Sequence, residues 1–146
     1  MIPLIVLFVS LLVFRGLGVL GVPLFFTWHD SLLWALSVMI LFTASAHFTS
    51  LKEDLIKMVP EQFPYPRRIV FVTGILEILG AIGLLIPHVR TAAGICLAIL
   101  FVAMFPANIK AAIKKVPLRG QPATPLWLRL PMQVLFIALA VWVALA

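Results

Sequence analysis

The feature that most constrains this chain is a set of five long apolar stretches. They lie at roughly 2–26, 32–49, 69–87, 91–109 and 126–146. Each approaches the ~20 residues that an α-helix needs to cross the hydrocarbon core of a bilayer. Hydrophobic residues make up 64% of the 146 residues and charged residues 11%, whereas soluble domains carry about 45–50% and about 25%. The sequence therefore excludes a soluble globule and predicts an all-α membrane protein with five spans. With no linker or repeat, we expect residues 1–146 to form one domain.

The basic residues predict the orientation of these spans. Five spans place the N-terminus and the loops 50–68 and 110–125 on one side of the membrane. That side carries eight basic residues: Lys52, Lys57, Arg67, Arg68, Lys110, Lys114, Lys115 and Arg119. The other side carries only Arg90. Because Lys and Arg favour the cytoplasmic side, we expect the N-terminus inside and the C-terminus outside.

The loop after the second span contains a short amphipathic segment. A helix is predicted over about 51–59, lying at the membrane interface. Glu53 and Lys57 are spaced i,i+4 and are expected to pair on its polar face. Pro60, Pro64 and Pro66 then break the chain before the third span.

One acidic residue lies inside a span, and it is the first candidate for function. Glu77 sits about 12 Å along the third span, at a rise of about 1.5 Å per residue. Arg15, in the first span, lies within about 6 Å of the same depth and is the expected partner. Gln133 in the fifth span is expected to be able to bond the same carboxylate. A functional site and a structural ion pair that orders the first span remain equally open.

Other polar residues cluster from mid-membrane to the cytoplasmic side. His47, Asn108 and Arg129 lie near the inner ends of their spans and join Glu77, Arg15 and Gln133 as candidates for ligand binding or a proton relay. For His47, a satisfied interfacial histidine is the alternative. Small residues from Gly74 to Gly83 indicate close helix packing, which is compatible with room for a ligand beside Glu77.

Catalysis by the chain alone is not predicted. We find no nucleophile–base pair, no metal-ligand set and no cofactor motif, so we assign neither catalytic nor metal-binding residues. Gly16-Leu-Gly18-Val-Leu-Gly21 spells a dinucleotide fingerprint, but it lies inside an apolar span without a preceding strand. Cys96, the single cysteine, rules out an internal disulfide. No signature of nucleic-acid binding is present.

Several motifs resemble those of the DoxX-like family of small bacterial membrane proteins. They are Phe42-Thr-Ala-Ser-Ala-His-Phe48, Met58-Val-Pro60, Pro64-x-Pro66, Thr73-Gly-Ile-Leu-Glu-Ile-Leu-Gly-Ala-Ile-Gly83, Phe105-Pro-Ala-Asn-Ile109 and Arg129-Leu-Pro-Met-Gln133. The resemblance covers about 32–143. It implies a DoxX-like bundle of four transmembrane helices, spans two to five, with the first span as an extra N-terminal helix. It also implies a location in the inner (cytoplasmic) membrane.

Three functions follow as hypotheses. The resemblance implies a non-catalytic membrane subunit or anchor of a redox system, with a redox protein as partner and a quinone as the ligand. The second hypothesis is a scaffold without a ligand. The third is a small carrier that binds lipid or solute. The lipid bilayer is the one certain partner of such a chain, and the oligomeric state stays open.

Overall fold

The computed structural model describes residues 2–117 and 124–146. Within them the chain forms seven α-helices: α1 (Ile2–Val19), α2 (Trp28–Ala44), α3 (Lys52–Met58), α4 (Pro66–Leu85), α5 (Arg90–Ala103), α6 (Phe105–Ile113) and α7 (Leu126–Leu145). A short 3-10 turn, Pro23–Phe25, follows α1, and a second one, Ser45–Phe48, follows α2. No strand occurs in these two ranges, so the all-α prediction is confirmed. Arg119, counted above among the basic loop residues, lies outside the described residues.

Five helical segments of the described chain are long and apolar enough to cross a membrane. They are α1, α2 with its 3-10 turn, α4, α5 continued by α6, and α7. This number agrees with the sequence prediction, and the protein is consistent with a multi-pass membrane protein.

The first span ends earlier than its apolar stretch because a glycine terminates it. Gly21 has a φ of 106°, which side chains with a Cβ rarely adopt. Its N–H bonds the Gly18 carbonyl at 3.1 Å, and the Val22 N–H bonds the Leu17 carbonyl at 3.0 Å. These two bonds form a Schellman motif, which satisfies the last carbonyls of α1 and turns the chain toward α2.

The long helices pack in chain order. Helix α1 contacts α2, α2 contacts α4, α4 contacts α5, and α5 contacts α7. Helix α7 also contacts α2, which brings the four later spans around a shared core. That core contains Leu36, Ile40, Leu84, Leu97 and Val143. By contrast, Leu7 and Gly18 are the only fully buried residues of α1.

Small residues bring these helices close together. A Cβ at Gly80 of α4 would lie 2.5 Å from Cδ2 of Leu97 on α5. A Cβ at Gly94 of α5 would collide with Ala144 and with the Ala140 carbonyl of α7. At these positions the glycines allow close helix packing, which is the first of the two roles predicted for the small residues; the other was room for a ligand beside Glu77.

The fourth span differs from the single helix predicted over 91–109. Helix α5 ends at Ala103 and α6 begins at Phe105, with Pro106 in its first turn. Proline has no N–H to continue the hydrogen-bond ladder, and its ring clashes with the preceding turn. The span is therefore broken, and its second part continues to Ile113.

The helix predicted over about 51–59 forms as α3, but the ion pair predicted on it is wrong. Glu53 does not pair with Lys57. It accepts bonds from both terminal nitrogens of Arg67, at 2.9 and 3.2 Å. Helix α3 lies against α4, so the first turn of α4 offers Glu53 a planar, bidentate donor that a lysine cannot match.

Candidate functional site

A buried histidine and a buried carboxylate meet where the second span ends beside α4. His47, in the 3-10 turn, is 7% exposed, and Glu77, within α4, is 3% exposed. Nε2 of His47 lies 3.7 Å from Oε1 of Glu77. Gly74 permits this approach, because a Cβ there would lie 2.5 Å from Cβ of His47. The space that Gly74 leaves on the Glu77 face of α4 is therefore filled by the histidine.

The backbone of α4 determines which nitrogen of His47 carries a hydrogen. Nδ1 lies 2.7 Å from the Val70 carbonyl oxygen. Because a carbonyl can only accept, Nδ1 is the donor. The hydroxyl oxygen of Thr73 lies 3.4 Å from Nδ1. This hydroxyl donates to the Ile69 carbonyl oxygen at 2.9 Å.

The other nitrogen of His47, Nε2, is directed at Glu77. In the neutral imidazole Nε2 has a lone pair, which faces the carboxyl group of Glu77. A lone pair against a carboxylate is repulsive, whereas a proton on either Nε2 or the Glu77 carboxyl would make the 3.7 Å approach of the two groups favourable. Oε2 of Glu77 has no hydrogen-bond partner in the described part of the chain. We call His47 and Glu77 the proton-sharing pair.

The predicted partner of Glu77 is wrong. Arg15 donates to the Phe26 carbonyl at 2.9 Å and lies 3.4 Å from that of Phe25. Its guanidinium also stands 5.2 Å from the centre of the Trp28 ring, a cation–π contact. Arg15 lies one turn before the end of α1, so its long side chain reaches the loop that follows. It holds the turn between α1 and α2.

Three further candidates form a separate polar cluster between α7 and the broken fourth span. Gln133 donates to the Phe101 carbonyl at 2.8 Å, so the expected bond to Glu77 is absent from the described structure. Arg129 donates to Asn108 at 3.2 Å and to the Thr124 carbonyl at 3.1 Å. These bonds tie α7 to α5 and α6. The six predicted residues thus lie in three places, and only His47 and Glu77 form a pair buried in the core.

A cavity of about 310 Å³ adjoins the proton-sharing pair. It lies between the 3-10 turn, α3 and the first turns of α4. Its lining consists of His47, Phe48, Lys52, Ile56, Arg67, Val70 and Phe71. The rings of Phe48 and Phe71 meet edge to face, with centroids 5.8 Å apart. The cavity therefore combines apolar, partly aromatic walls with two basic side chains.

The charges at this cavity are partly compensated. Arg67 is bonded by Glu53, and the hydrogen bond from this guanidinium lowers the pKa of the Glu53 carboxyl below its ordinary value. Within the described residues no carboxylate lies within 4 Å of the Lys52 ammonium. Glu77 does not line the cavity, so the Lys52 ammonium gives the cavity a surplus of positive charge.

Sequence reasoning missed this cavity. Lys52 and Arg67 were counted only as charges that orient the spans, and Phe48 and Phe71 only as apolar residues. The usable signal is the proline-rich connection from Pro60 to Pro66, which is short enough to keep α3 beside the start of α4. In residues 2–117 and 124–146 no group of three or more His, Cys, Asp or Glu side chains is placed to hold a metal ion.

Comparison with known proteins corrects the family assignment. No curated protein and no solved structure matches the chain. A family model described as "Domain of unknown function (DUF8561)" matches residues 36–144, and no match to the DoxX-like family is found. The matched region runs from within α2 to near the end of α7 and includes the cavity and the proton-sharing pair, whereas α1 and Arg15 lie outside it. The predicted DoxX-like resemblance is therefore wrong, and the chain belongs to the DUF8561 family.

Proposed function

We propose that the chain is a non-catalytic, multi-pass protein of the cytoplasmic membrane, with its N-terminus inside. The bias of eight basic residues against one supports this orientation. It places α3 and the cavity at the cytoplasmic face.

Cysteine labelling tests the orientation. In a Cys96→Ser background, Glu61→Cys reports on the loop between α3 and α4, and His88→Cys on the loop between α4 and α5. A membrane-impermeant maleimide added to intact cells should label only the second variant. Labelling of only the first would reverse the orientation.

We further propose that the function is to bind an amphipathic ligand in the cavity between α3 and α4. The cavity itself is the observation that carries this proposal. Its volume of about 310 Å³ lies at the lower end of the roughly 300–1,000 Å³ typical of small-molecule sites. Apolar walls and two basic side chains suit a ligand with an apolar body and a polar or anionic end.

Mass spectrometry of gently solubilised native membranes tests ligand binding. Ile56→Trp should fill the cavity and remove a small molecule that co-purifies with the wild-type protein. Ile99→Trp is the matched control, because Ile99 is 64% exposed on the outer face of α5. If all three proteins fold and carry the same molecules, or none, the cavity binds no ligand and the scaffold hypothesis is favoured.

A membrane subunit of a quinone-linked redox system is the second candidate. The proton-sharing pair supports it, because quinol formation requires protons, and an imidazole and a carboxyl group are side chains that can deliver them beside an aromatic-lined cavity. In that role a partner oxidoreductase supplies the electrons. A quinone that co-purifies with the wild type and is lost in Glu77→Gln supports this candidate. Purified protein that carries neither a quinone nor an oxidoreductase rejects it.

A further inference from the structure

We propose that the cavity between α3 and α4 binds the phosphodiester group of an anionic phospholipid from the cytoplasmic leaflet. This inference rests on the proposed ligand-binding function and names its ligand. The phosphate lies between Lys52 and Arg67, and an acyl chain leaves the cavity along α4.

The charge of the site matches a monoanion. Lys52 and Arg67 contribute two positive charges, and Glu53, bonded to Arg67 at 2.9 Å, contributes one negative charge. Glu77 does not line the cavity and is left out of this count. The remaining single positive charge matches a phosphodiester, which carries one negative charge, better than a phosphate monoester, which carries about −1.5 to −2 near pH 7.

The depth of the cavity matches the headgroup region. Arg67 is the second residue of α4, and Lys52 is the first residue of α3. Both therefore lie where a membrane-crossing helix begins and where an amphipathic helix runs beside it. Basic side chains at this level are attracted to anionic lipids.

An exposed apolar stripe leads away from the cavity along α4. Phe71 lines the cavity and is 56% exposed, and Ile75 and Leu79 follow at intervals of four residues with 37% and 60% exposure. Residues four apart lie on the same face of a helix. An acyl chain can therefore lie along this face while its phosphate stays in the cavity.

Both nitrogens of His47 are directed at protein groups, Nδ1 at the Val70 carbonyl and Nε2 at Glu77. The polar contacts offered to a ligand therefore come mainly from the two basic side chains. This arrangement favours an anionic headgroup over a neutral ring that would need the imidazole as a donor.

The test measures lipid binding to the delipidated full-length protein in detergent by native mass spectrometry. The lipids are phosphatidylglycerol, which is anionic, and phosphatidylcholine, which carries a phosphodiester without net charge. The variants are Lys52→Gln and its matched control Lys57→Gln, which makes the same charge change on the same helix away from the cavity. Loss of the charged hydrogen bond from Lys52 to the phosphate should raise the Kd for phosphatidylglycerol about ten-fold in Lys52→Gln, whereas Lys57→Gln should leave it unchanged.

Other outcomes overturn the proposal. Equal loss of binding in both variants would show non-specific attraction to the basic face. Equal affinity for the two lipids would remove the requirement for an anion. Full competition by inorganic phosphate at a concentration matched to the lipid would identify a soluble phosphate as the ligand instead of a lipid.

The same preparation separates this inference from the function on which it rests. If neither lipid binds the wild type, but another molecule co-purifies and is lost in Ile56→Trp, the lipid assignment fails and ligand binding stands. If no bound molecule depends on Ile56, both fail.

Discussion

Replacement of Gly74 by alanine tests whether close helix contact positions the proton-sharing pair. The new Cβ would lie 2.5 Å from Cβ and 2.8 Å from Cγ of His47, and 3.0 Å from Cε2 of Phe48. His47 must then move, which disturbs its 2.7 Å bond to the Val70 carbonyl. Overpacking costs about 1–3 kcal/mol, and a lost hydrogen bond about 1 kcal/mol. Alanine in place of glycine returns about 1 kcal/mol of helix propensity, so we expect Gly74→Ala to lower the free energy of unfolding by about 1–3 kcal/mol.

Reversible unfolding in mixed micelles at increasing SDS measures this change. Gly16→Ala is the control, because no atom lies within 4 Å of a Cβ at Gly16, and alanine favours a helix by about 1 kcal/mol. In a His47→Gly background the penalty of Gly74→Ala should fall by at least about 1 kcal/mol, since the two positions are coupled. A Gly74→Ala protein as stable as Gly16→Ala would refute the reasoning.

Three further predictions concern charged residues. The hydrogen bond from Arg67 lowers the pKa of Glu53 from 4.5, so the stabilisation by this pair is complete above pH 4.5 and is lost as the pH falls through the lower folded-state value. Thermal melts should show a weaker pH dependence below 4.5 in Arg67→Gln than in the wild type; equal slopes contradict this. Lys115, which follows α6, has a φ of 52°, a left-handed conformation that costs a residue with a Cβ about 1 kcal/mol. Lys115→Gly should therefore raise the free energy of unfolding by about that amount. Lys114→Gly should not, because Lys114 has a φ of −83°. Arg15→Gln should lower the free energy of unfolding by about 1–2 kcal/mol without changing which molecules co-purify with the protein. A change in the co-purifying molecules would connect Arg15 to the cavity.

The wrong partner for Glu77 shows where depth along a helix is an insufficient guide. Depth was measured from a third span that was predicted to begin at residue 69, but α4 begins at Pro66. Val70 and Gly74 therefore lie level with His47, and Glu77 follows one turn later on the same face. Arg15 had a similar predicted depth, but α1 packs against α2, and the turn after α1 supplies carbonyl groups within reach of the guanidinium. The rise per residue gives the depth of a residue in the bilayer. It does not give which helix lies beside it or how the helix is rotated about its own axis.

The contacts of Gln133, Asn108 and Arg129 could not be predicted for the same reason, since depth does not show which helices are neighbours. Pro106 was visible in the sequence, but the sequence did not reveal that the fourth span breaks there and extends to Ile113. The broken span and α7 then exchange hydrogen bonds with each other. The sequence predicted that these polar residues need partners, and their partners were decided by which helices lie side by side.

The sequence by itself determined the class of this protein. Apolar length, the distribution of basic residues and the turn-forming residues act locally, so they predict five spans, an interfacial helix near 51–59 and buried polar residues that need partners. Tertiary structure decided which of these residues meet. The proton-sharing pair depends on the missing Cβ of Gly74. The cavity depends on α3 folding back against α4, so that Glu53 bonds Arg67. Lys52 is then left without a carboxylate partner among the described residues. These contacts join residues 14 to 30 positions apart in the chain, and such contacts are set by packing, which periodicity and composition do not encode.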